Sequence, residues 1–285
     1  MKVFFSTDLH GRFDRYNKLF DLICAQTPNL VLLGGDLLPH GMARQSPEDP
    51  GYHDFLHDFL RPGLESMLLK MGRQAPRILA ILGNDDPARE VEGMEDLESL
   101  GLLEYIHMKT VDAGPYTITG YAFVPPTPFL LKDWEKYDVS RYVDPGCVPP
   151  TEGYRSIHAA YDTEYSTIAA DLENLTSHLD MDKAILLFHS PPYKTHLDRA
   201  ALDNQFVDHV PLDVHVGSMA IERFIRNRQP YLSLHGHIHE SSTLTGSWWD
   251  QIGRTRMFNA AWEKKELSVI AFNPADLASA ERWLM

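Results

Sequence analysis

The sequence has 285 residues, of which 44% are hydrophobic and 11% aromatic, a composition typical of a globular protein with a sizeable core. Asp and Glu outnumber Lys and Arg by 40 to 26, and the net charge of -14 repels polyanions, so we do not expect long nucleic acid as a partner. The 2 cysteines exclude a thiolate zinc site and disfavour a disulfide framework.

Membrane insertion and export are also disfavoured by the sequence. We find no run of apolar residues long enough to span a bilayer, and we expect no membrane partner. The N-terminus lacks the long apolar stretch and the small-residue cleavage site of a signal peptide. We therefore expect a soluble, cytoplasmic protein, and the sequence leaves its oligomeric state open.

Short apolar strands recur along the chain, and each one ends in a polar loop. After the first strand, residues 16–24 have the apolar spacing of an amphipathic helix. Residues 109–124 resemble a hairpin, and residues 241–272 indicate further short strands. The apolar strands are predicted at residues 2–7, 30–33, 77–82, 184–188 and 231–234.

This alternation of strands and helices predicts a layered α/β protein with a buried sheet. The hairpin and the C-terminal strands predict a second sheet, which we expect to be rich in antiparallel pairs. We interpret residues 1–285 as a single domain with two insertions, near residues 39–62 and 125–154. Both insertions are rich in proline and aromatic residues, so we expect them to be ordered lobes.

The polar residues at the strand ends form the candidate functional site, because ligands of open α/β sheets bind outside the carboxyl ends of the strands. They offer carboxylate, amide and imidazole groups without sulfur, a set that suits Mn²⁺, Fe or Zn²⁺. In an extended chain, residues spaced two apart point to the same side. The set comprises Asp8, His10, Asp36, Asn84, His189, His237 and His239.

These residues point to a centre with two metal ions. A carboxylate such as Asp36 can bridge two cations, and metals about 3.5–4 Å apart can activate a water and clamp the attacking and leaving oxygens at phosphorus. Taken singly, Asn84 suits a turn, and His237 and His239 suit an ordinary loop. The ordered series of such clusters, each directly after an apolar strand, favours the metal centre.

Five short motifs, in this order, resemble those of the calcineurin-like metallophosphoesterase family. They extend from Asp8 to His239 and so cover most of the chain. The resemblance implies a four-layer α/β/β/α sandwich, a hydrolase that cuts phosphate esters, and two divalent metal ions, with Mn²⁺ favoured. The motifs are Asp8-Leu9-His10-Gly11, Gly34-Gly35-Asp36, Gly83-Asn84-Asp85-Asp86, Phe188-His189-Ser190 and Gly236-His237-Ile238-His239.

The resemblance also implies which residues bind each metal. Asp36 would bridge the two ions together with a water or hydroxide, which attacks phosphorus without a covalent enzyme intermediate. The first ion would be bound by Asp8, His10, Asp36 and His239, and the second by Asp36, Asn84, His189 and His237.

One position departs from the family pattern. The family usually has Gly-Asn-His followed by an acidic residue, and its His helps to bind the phosphate and to protonate the leaving group. Asp85 stands at that position, followed by Asp86 at the acidic position. Asp85 can be a general acid only if its pKa is raised, which nearby cations oppose, and its charge repels a phosphate. We place Asp85, Asp86 and His189 in the catalytic set and favour small, mono-anionic phosphodiesters as substrates.

Two other functions stay open at this point. The first is a phosphomonoesterase that acts on nucleotides or phosphoproteins. The second is a metal-binding scaffold with weak catalysis that binds a protein partner. The complete set of matched metal ligands argues against the scaffold.

Residues beside the motifs are candidates for contact with the substrate. Arg12 and Asn84 could contact a phosphate oxygen, and Lys194 and Thr195 follow the loop of the fourth strand and could line the cleft. Three aromatic residues of the second insertion could stack a nucleobase, although packing against the sandwich is the role we expect: Phe129, Trp134 and Tyr137.

Overall fold

The structure is a computed structural model that describes residues 1–39 and 54–285. Most of the first predicted insertion, residues 39–62, lies outside these ranges. Within them, no helix combines the length and the apolar character that crossing a membrane requires.

Strands and helices alternate along most of the chain, as the sequence predicts. The strands are β1 (Val3–Ser6), β2 (Leu30–Gly34), β3 (Arg77–Ile81), β4 (Glu104–Tyr105), β5 (Thr110–Ala113), β6 (Tyr116–Tyr121), β7 (Ala184–Phe188), β8 (Phe206–Val207), β9 (Val210–Pro211), β10 (Leu232–His235), β11 (Trp249–Ile252), β12 (Thr255–Asn259), β13 (Ser268–Asn273) and β14 (Asp276–Leu284). The helices are α1 (Phe13–Gln26), α2 (Arg61–Met71), α3 (Val91–Ser99), α4 (Ile168–Thr176), α5 (Met219–Arg228) and α6 (Ser241–Thr245).

Two mixed sheets form the centre of the fold, with the strand orders β14-β13-β1-β2-β3-β4 and β11-β12-β10-β7-β6-β5. Helices flank both sheets, which confirms the predicted α/β/β/α sandwich. The expectation of an antiparallel-rich second sheet is wrong for its centre, where β6, β7, β10 and β12 are parallel neighbours. Antiparallel pairing occurs only at the two edges of this sheet, at β5 and β11. The crossover helices α4 and α5 return the chain to the same end of the sheet, as parallel pairing requires.

The central strands are buried on both faces, which explains their unbroken apolar sequences. Val3 and Phe5 of β1 belong to a core composed mainly of strand residues, whereas Phe4 belongs to a core shared with Leu19 and Ile23 of α1. Successive side chains of a strand point to opposite faces, so one strand supplies both layers.

The boundaries differ from the prediction mainly near the C-terminus. Helix α1 is longer than the predicted residues 16–24, and residues 241–245 form α6 where a strand is expected. Strand β14 is missing from the prediction because all of its side chains are exposed or half-buried at the edge of the first sheet. A half-buried edge strand has no apolar run by which its sequence could be identified.

The predicted second insertion, residues 125–154, contains a segment that we call the strap, residues 132–138. Every residue of the strap is buried, including Trp134 and Tyr137, whereas Phe129 is 55% exposed. The packing role expected of the three aromatic residues therefore holds for two of them. Most strap residues are charged, an unusual composition for a buried segment: Lys132, Asp133, Glu135, Lys136 and Asp138.

Lys132 and Glu135 form a buried ion pair within the strap, with 2.6 Å between Nζ and Oε2 and no exposed surface on either side chain. Removing one member of such a pair leaves an unpaired buried charge and costs about 3–5 kcal/mol. We expect Lys132→Met to lower the free energy of unfolding by about that amount in urea titrations. The titrations should be done at alkaline pH, where Glu135 is ionised, because burial raises the pKa of Glu135 to about 7.

The matched control is Arg226→Met. Arg226 pairs with Glu222 on α5, and its side chain is 65% exposed, so the substitution should cost about 1 kcal/mol or less. Equal losses in the two variants would contradict the special role of the buried pair.

His57 lies in the short π-helix Leu56–Leu60 before α2 and connects this segment to α3. Its Nδ1 lies 2.8 Å from Asp54 Oδ2, and its Nε2 lies 3.4 Å from Asp96 Oδ2. The hydrogen bond with Asp54 raises the pKa of His57. This histidine therefore stabilises the folded state fully below its unfolded pKa of about 6.5, and the contribution disappears as the pH rises through the raised value.

We expect the difference in Tm between the parent and His57→Gln to be largest in mildly acidic solution and to vanish at alkaline pH. The difference should be small, because the His57 side chain is 36% exposed. Thermal unfolding across this pH range measures it. A difference that does not change with pH would show that protonation of His57 is not involved.

Candidate metal centre

The loops after β1 and β2 run side by side at the carboxyl end of the first sheet. The Asp8 amide donates to the Gly35 carbonyl oxygen at 2.9 Å, and the His10 amide donates to that of Asp36 at 2.8 Å. Asp8, His10 and Asp36 have φ values of 56°, 49° and 51°, which are uncommon for residues other than glycine. The bonds between the loops hold this strained backbone in place.

The first group of side chains forms around Asp8. His239 Nε2 lies 3.0 Å from Asp8 Oδ1 and 3.1 Å from His10 Nε2. One potential ligand atom from each of Asp8, His10, Asp36 and His239 lies within 4.8 Å of all the others. This is the set that the family resemblance implies for the first metal.

The second group forms around Asp36, which belongs to both groups. His189 Nε2 lies 3.3 Å from Asp36 Oδ2 and 3.1 Å from Asn84 Oδ1. Ligand atoms of Asp36, His189 and His237 lie within 4.8 Å of one another. His189 Nδ1 lies 2.8 Å from the Gly34 carbonyl oxygen, to which it can only donate, and this bond directs Nε2 toward the group.

The charges of the two groups favour a cation between them. Burial alone would raise the pKa of Asp8 and Asp36, but His239 lowers the pKa of Asp8, and His189 lowers that of Asp36. Burial opposes protonation of His189, yet Asp36 raises the pKa of His189 to about 10. The buried carboxylates thus draw positive charge to the centre, and the oxygen and imidazole donors fit divalent transition-metal ions.

Two glycines of the motifs are needed for close approach. A Cβ atom on Gly83 would lie 2.3 Å from Asp36 Oδ1, and one on Gly236 would lie 2.6 Å from Asp8 Oδ2. Any larger residue would displace a carboxylate, so these glycines keep the strand ends next to the centre.

Asp85 lies beside the first group. Its Oδ2 is 3.7 Å from His10 Nδ1, its side chain is 22% exposed, and its amide donates to Asp36 Oδ1 at 2.8 Å. The family's histidine position therefore holds a partly exposed carboxylate next to a candidate metal ligand.

Asp86 is fully buried and its carboxylate accepts three backbone hydrogen bonds. The donors are the amides of Gly83 at 2.9 Å, Leu37 at 3.0 Å and Leu38 at 2.8 Å. Asp86 thus joins the loop that carries Asn84 to the loop that carries Asp36. The sequence prediction assigns Asp86 to the catalytic set, and these bonds favour a positioning role instead.

The predicted substrate contacts lie on the neighbouring loops. Arg12 is exposed and donates to both carboxylate oxygens of Asp14 at 3.1 Å. Lys194 is exposed, whereas Thr195 is buried and its hydroxyl donates to the Pro192 carbonyl oxygen at 2.9 Å. The bonds of Thr195 disfavour contact with the substrate, and the roles of Arg12 and Lys194 stay predictions.

Arg15 is a residue of the centre that the sequence analysis misses. Its buried guanidinium donates from Nη1 to the Asp8 carbonyl oxygen at 2.6 Å and from Nη2 to that of Lys264 at 2.5 Å. Arg15 precedes Leu19 and Leu22 by one and two helical turns on the buried face of α1. A cation on an apolar helix face is the sequence feature that could have identified it.

Solved structures of other proteins have folds similar to that of this chain. TT1561 of Thermus thermophilus is 14% identical, with a TM-score of 0.56, and the match covers 99% of this chain and 98% of that chain. A dimetal phosphatase from Danio rerio is 10% identical, with a TM-score of 0.50, over 95% of this chain and 92% of that chain. At these identities the likeness shows the fold alone. The comparison with curated protein sequences gave no match.

A sequence model of the calcineurin-like phosphoesterases matches residues 1–241, which include every motif described above. The match extends over most of the chain, and the fold and the converging strand ends agree with it. The chain therefore belongs to the calcineurin-like phosphoesterase family.

Proposed function

We propose that this protein hydrolyses small phosphodiesters that have good leaving groups, and that it requires two divalent metal ions, with Mn²⁺ favoured. The observation that carries the proposal is the meeting of two groups of ligand side chains that share the buried Asp36. Shared carboxylates are typical of centres in which two cations act on one phosphate.

The first ion would be held by Asp8, His10, Asp36 and His239, and the second by Asp36, Asn84, His189 and His237. When bound, the ions supply Lewis acidity toward the phosphate oxygens and lower the pKa of a water molecule. The protein's own contribution is to orient these ligands, through Gly34 behind His189 and through Asp86 between the two loops.

Asp85 is the reason for favouring diesters. Its carboxylate stands at 3.7 Å from His10, so a phosphate bound at the centre meets a negative charge there instead of an imidazole. A dianionic monoester is repelled more strongly than a mono-anionic diester. An ionised carboxylate has no proton to give to a departing alkoxide, so esters whose leaving groups need no proton are preferred.

The complete ligand set also supports an enzyme over a protein-binding scaffold. A phosphomonoesterase would need another group to protonate the leaving oxygen. The relative rates for monoesters and diesters decide between the two activities.

Replacing the shared carboxylate should weaken both metal sites. We expect Asp36→Asn to bind less than one equivalent of Mn²⁺ under conditions in which the parent binds two. Its kcat/KM should fall by more than the roughly 10- to 100-fold typical for loss of a residue that only orients a ligand. Metal analysis after gel filtration and steady-state kinetics measure the two effects.

The control is Asp21→Asn, which makes the same substitution at an exposed position of α1. It should retain the metal content and the rate of the parent. If Asp36→Asn keeps both metals, or if the parent binds none, the two-metal assignment is wrong.

The parent should hydrolyse an aryl diester such as bis-p-nitrophenyl phosphate in Mn²⁺ much faster than an alkyl monoester. Asp85→His should raise monoesterase activity relative to diesterase activity, because general acid catalysis typically contributes about 10²–10⁴-fold and matters most for basic leaving groups. The measurement is kcat/KM for both substrates in the parent and the variant.

Asp85→Asn separates charge repulsion from the lack of a general acid, because it removes the charge without adding a proton donor. A gain in monoesterase activity in Asp85→His alone indicates that a missing acid limits the parent, whereas equal gains indicate charge repulsion. A parent that prefers alkyl monoesters would overturn the proposed preference.

A further inference from the structure

The strap, residues 132–138, is attached directly to the loop that carries Asn84. The indole Nε1 of Trp134 donates to the Asp86 carbonyl oxygen at 2.8 Å. The adjacent Asp133 accepts a hydrogen bond from the Ala88 amide at 2.7 Å. Two neighbouring strap residues thus hold the segment immediately after Asn84.

Asp133 is fixed in turn by Ser156. Its Oδ1 accepts from the Ser156 amide at 2.9 Å, and its Oδ2 accepts from the Ser156 hydroxyl as well as from Ala88. Both carboxylate oxygens therefore act as acceptors, so an amide in this place would present an N–H group to at least one donor.

The other end of the strap is anchored to the outer helices. Asp138 accepts from the Met219 amide at 2.7 Å and from the Ser218 hydroxyl at 2.5 Å, where α5 begins. Lys136 Nζ donates to Asp171 on α4 at 2.7 Å. Because every strap residue is buried and both ends are bonded, the strap is a firm support.

We propose that Trp134 and Asp133 are positioning residues that set the affinity of the metal site that contains Asn84. This inference rests on the proposed function. Asn84 is the only neutral oxygen ligand of the proposed set, so its contribution depends on accurate placement more than that of a carboxylate. The loop of Asn84 is held from one side by the Asp86 carboxylate and from the other by the strap.

The test is a calorimetric titration of the metal-free, full-length protein with Mn²⁺. Trp134→Phe removes the indole donor and keeps an aromatic ring. We expect it to weaken one of the two binding steps by about threefold to tenfold, the range that loss of one hydrogen bond covers, and to leave the other step unchanged. Asp133→Asn should weaken the same step if Trp134→Phe does not fold.

A double-mutant cycle identifies the site. Asn84→Ala should weaken the same step, and adding Trp134→Phe to Asn84→Ala should have no further effect on it, because the strap acts through Asn84. Additive losses would overturn the inference.

The matched control is Trp283→Phe. The Trp283 indole donates to Glu281 at 3.0 Å, and Lys2, the residue before β1, lies over its ring. This variant should bind Mn²⁺ like the parent. Unchanged binding in Trp134→Phe, or an equal loss in Trp283→Phe, overturns the inference while the proposed function stands. A parent that binds no Mn²⁺ overturns the proposed function itself.

Discussion

Burial of two like charges is the constraint on which the rest of this structure depends. Asp8 and Asp36 lie together, almost without exposed surface, between the ends of two sheets. Burying a carboxylate is costly unless opposite charge and hydrogen bonds compensate for it. His189 and His239 provide the nearest compensation, and their pKa values are raised in return. The same requirement that raises the pKa of these histidines favours divalent cations at this place.

The fold meets this constraint by bringing parallel strand ends from both sheets to one edge. Strands β1, β2 and β3 are parallel neighbours in the first sheet, as are β7 and β10 in the second. Their loops place ligands opposite each other only because the turns adopt left-handed backbone conformations, as at His237 with φ of 71°. Such strain persists where surrounding bonds over-determine the conformation, as the paired loops and Asp86 do here.

Residues outside the proposed ligand set support the metal centre. Asp86 joins two ligand loops, Arg15 holds the carbonyl of Asp8 from behind, and the strap holds the segment after Asn84. The strap contributes mostly charged residues, each buried against a partner. A buried polar network of this kind gives a defined geometry rather than large net stability, because the hydrogen bonds replace equivalent bonds to water. The strap therefore holds the loop of Asn84 through side-chain hydrogen bonds to the backbone of that loop.

The sequence by itself determined the layered fold and the candidate ligands, because both depend on local patterns. An apolar run buried on two faces identifies a strand such as β7, and a polar motif after it identifies a strand end. Only the tertiary structure decided the parallel centre of the second sheet, the edge strand β14, and the contacts of Arg15, Asp86 and Trp134. These depend on residues far apart in the chain, such as the 48 positions between Trp134 and Asp86. No local pattern in the sequence predicts which distant carbonyl oxygen an indole or a guanidinium will contact.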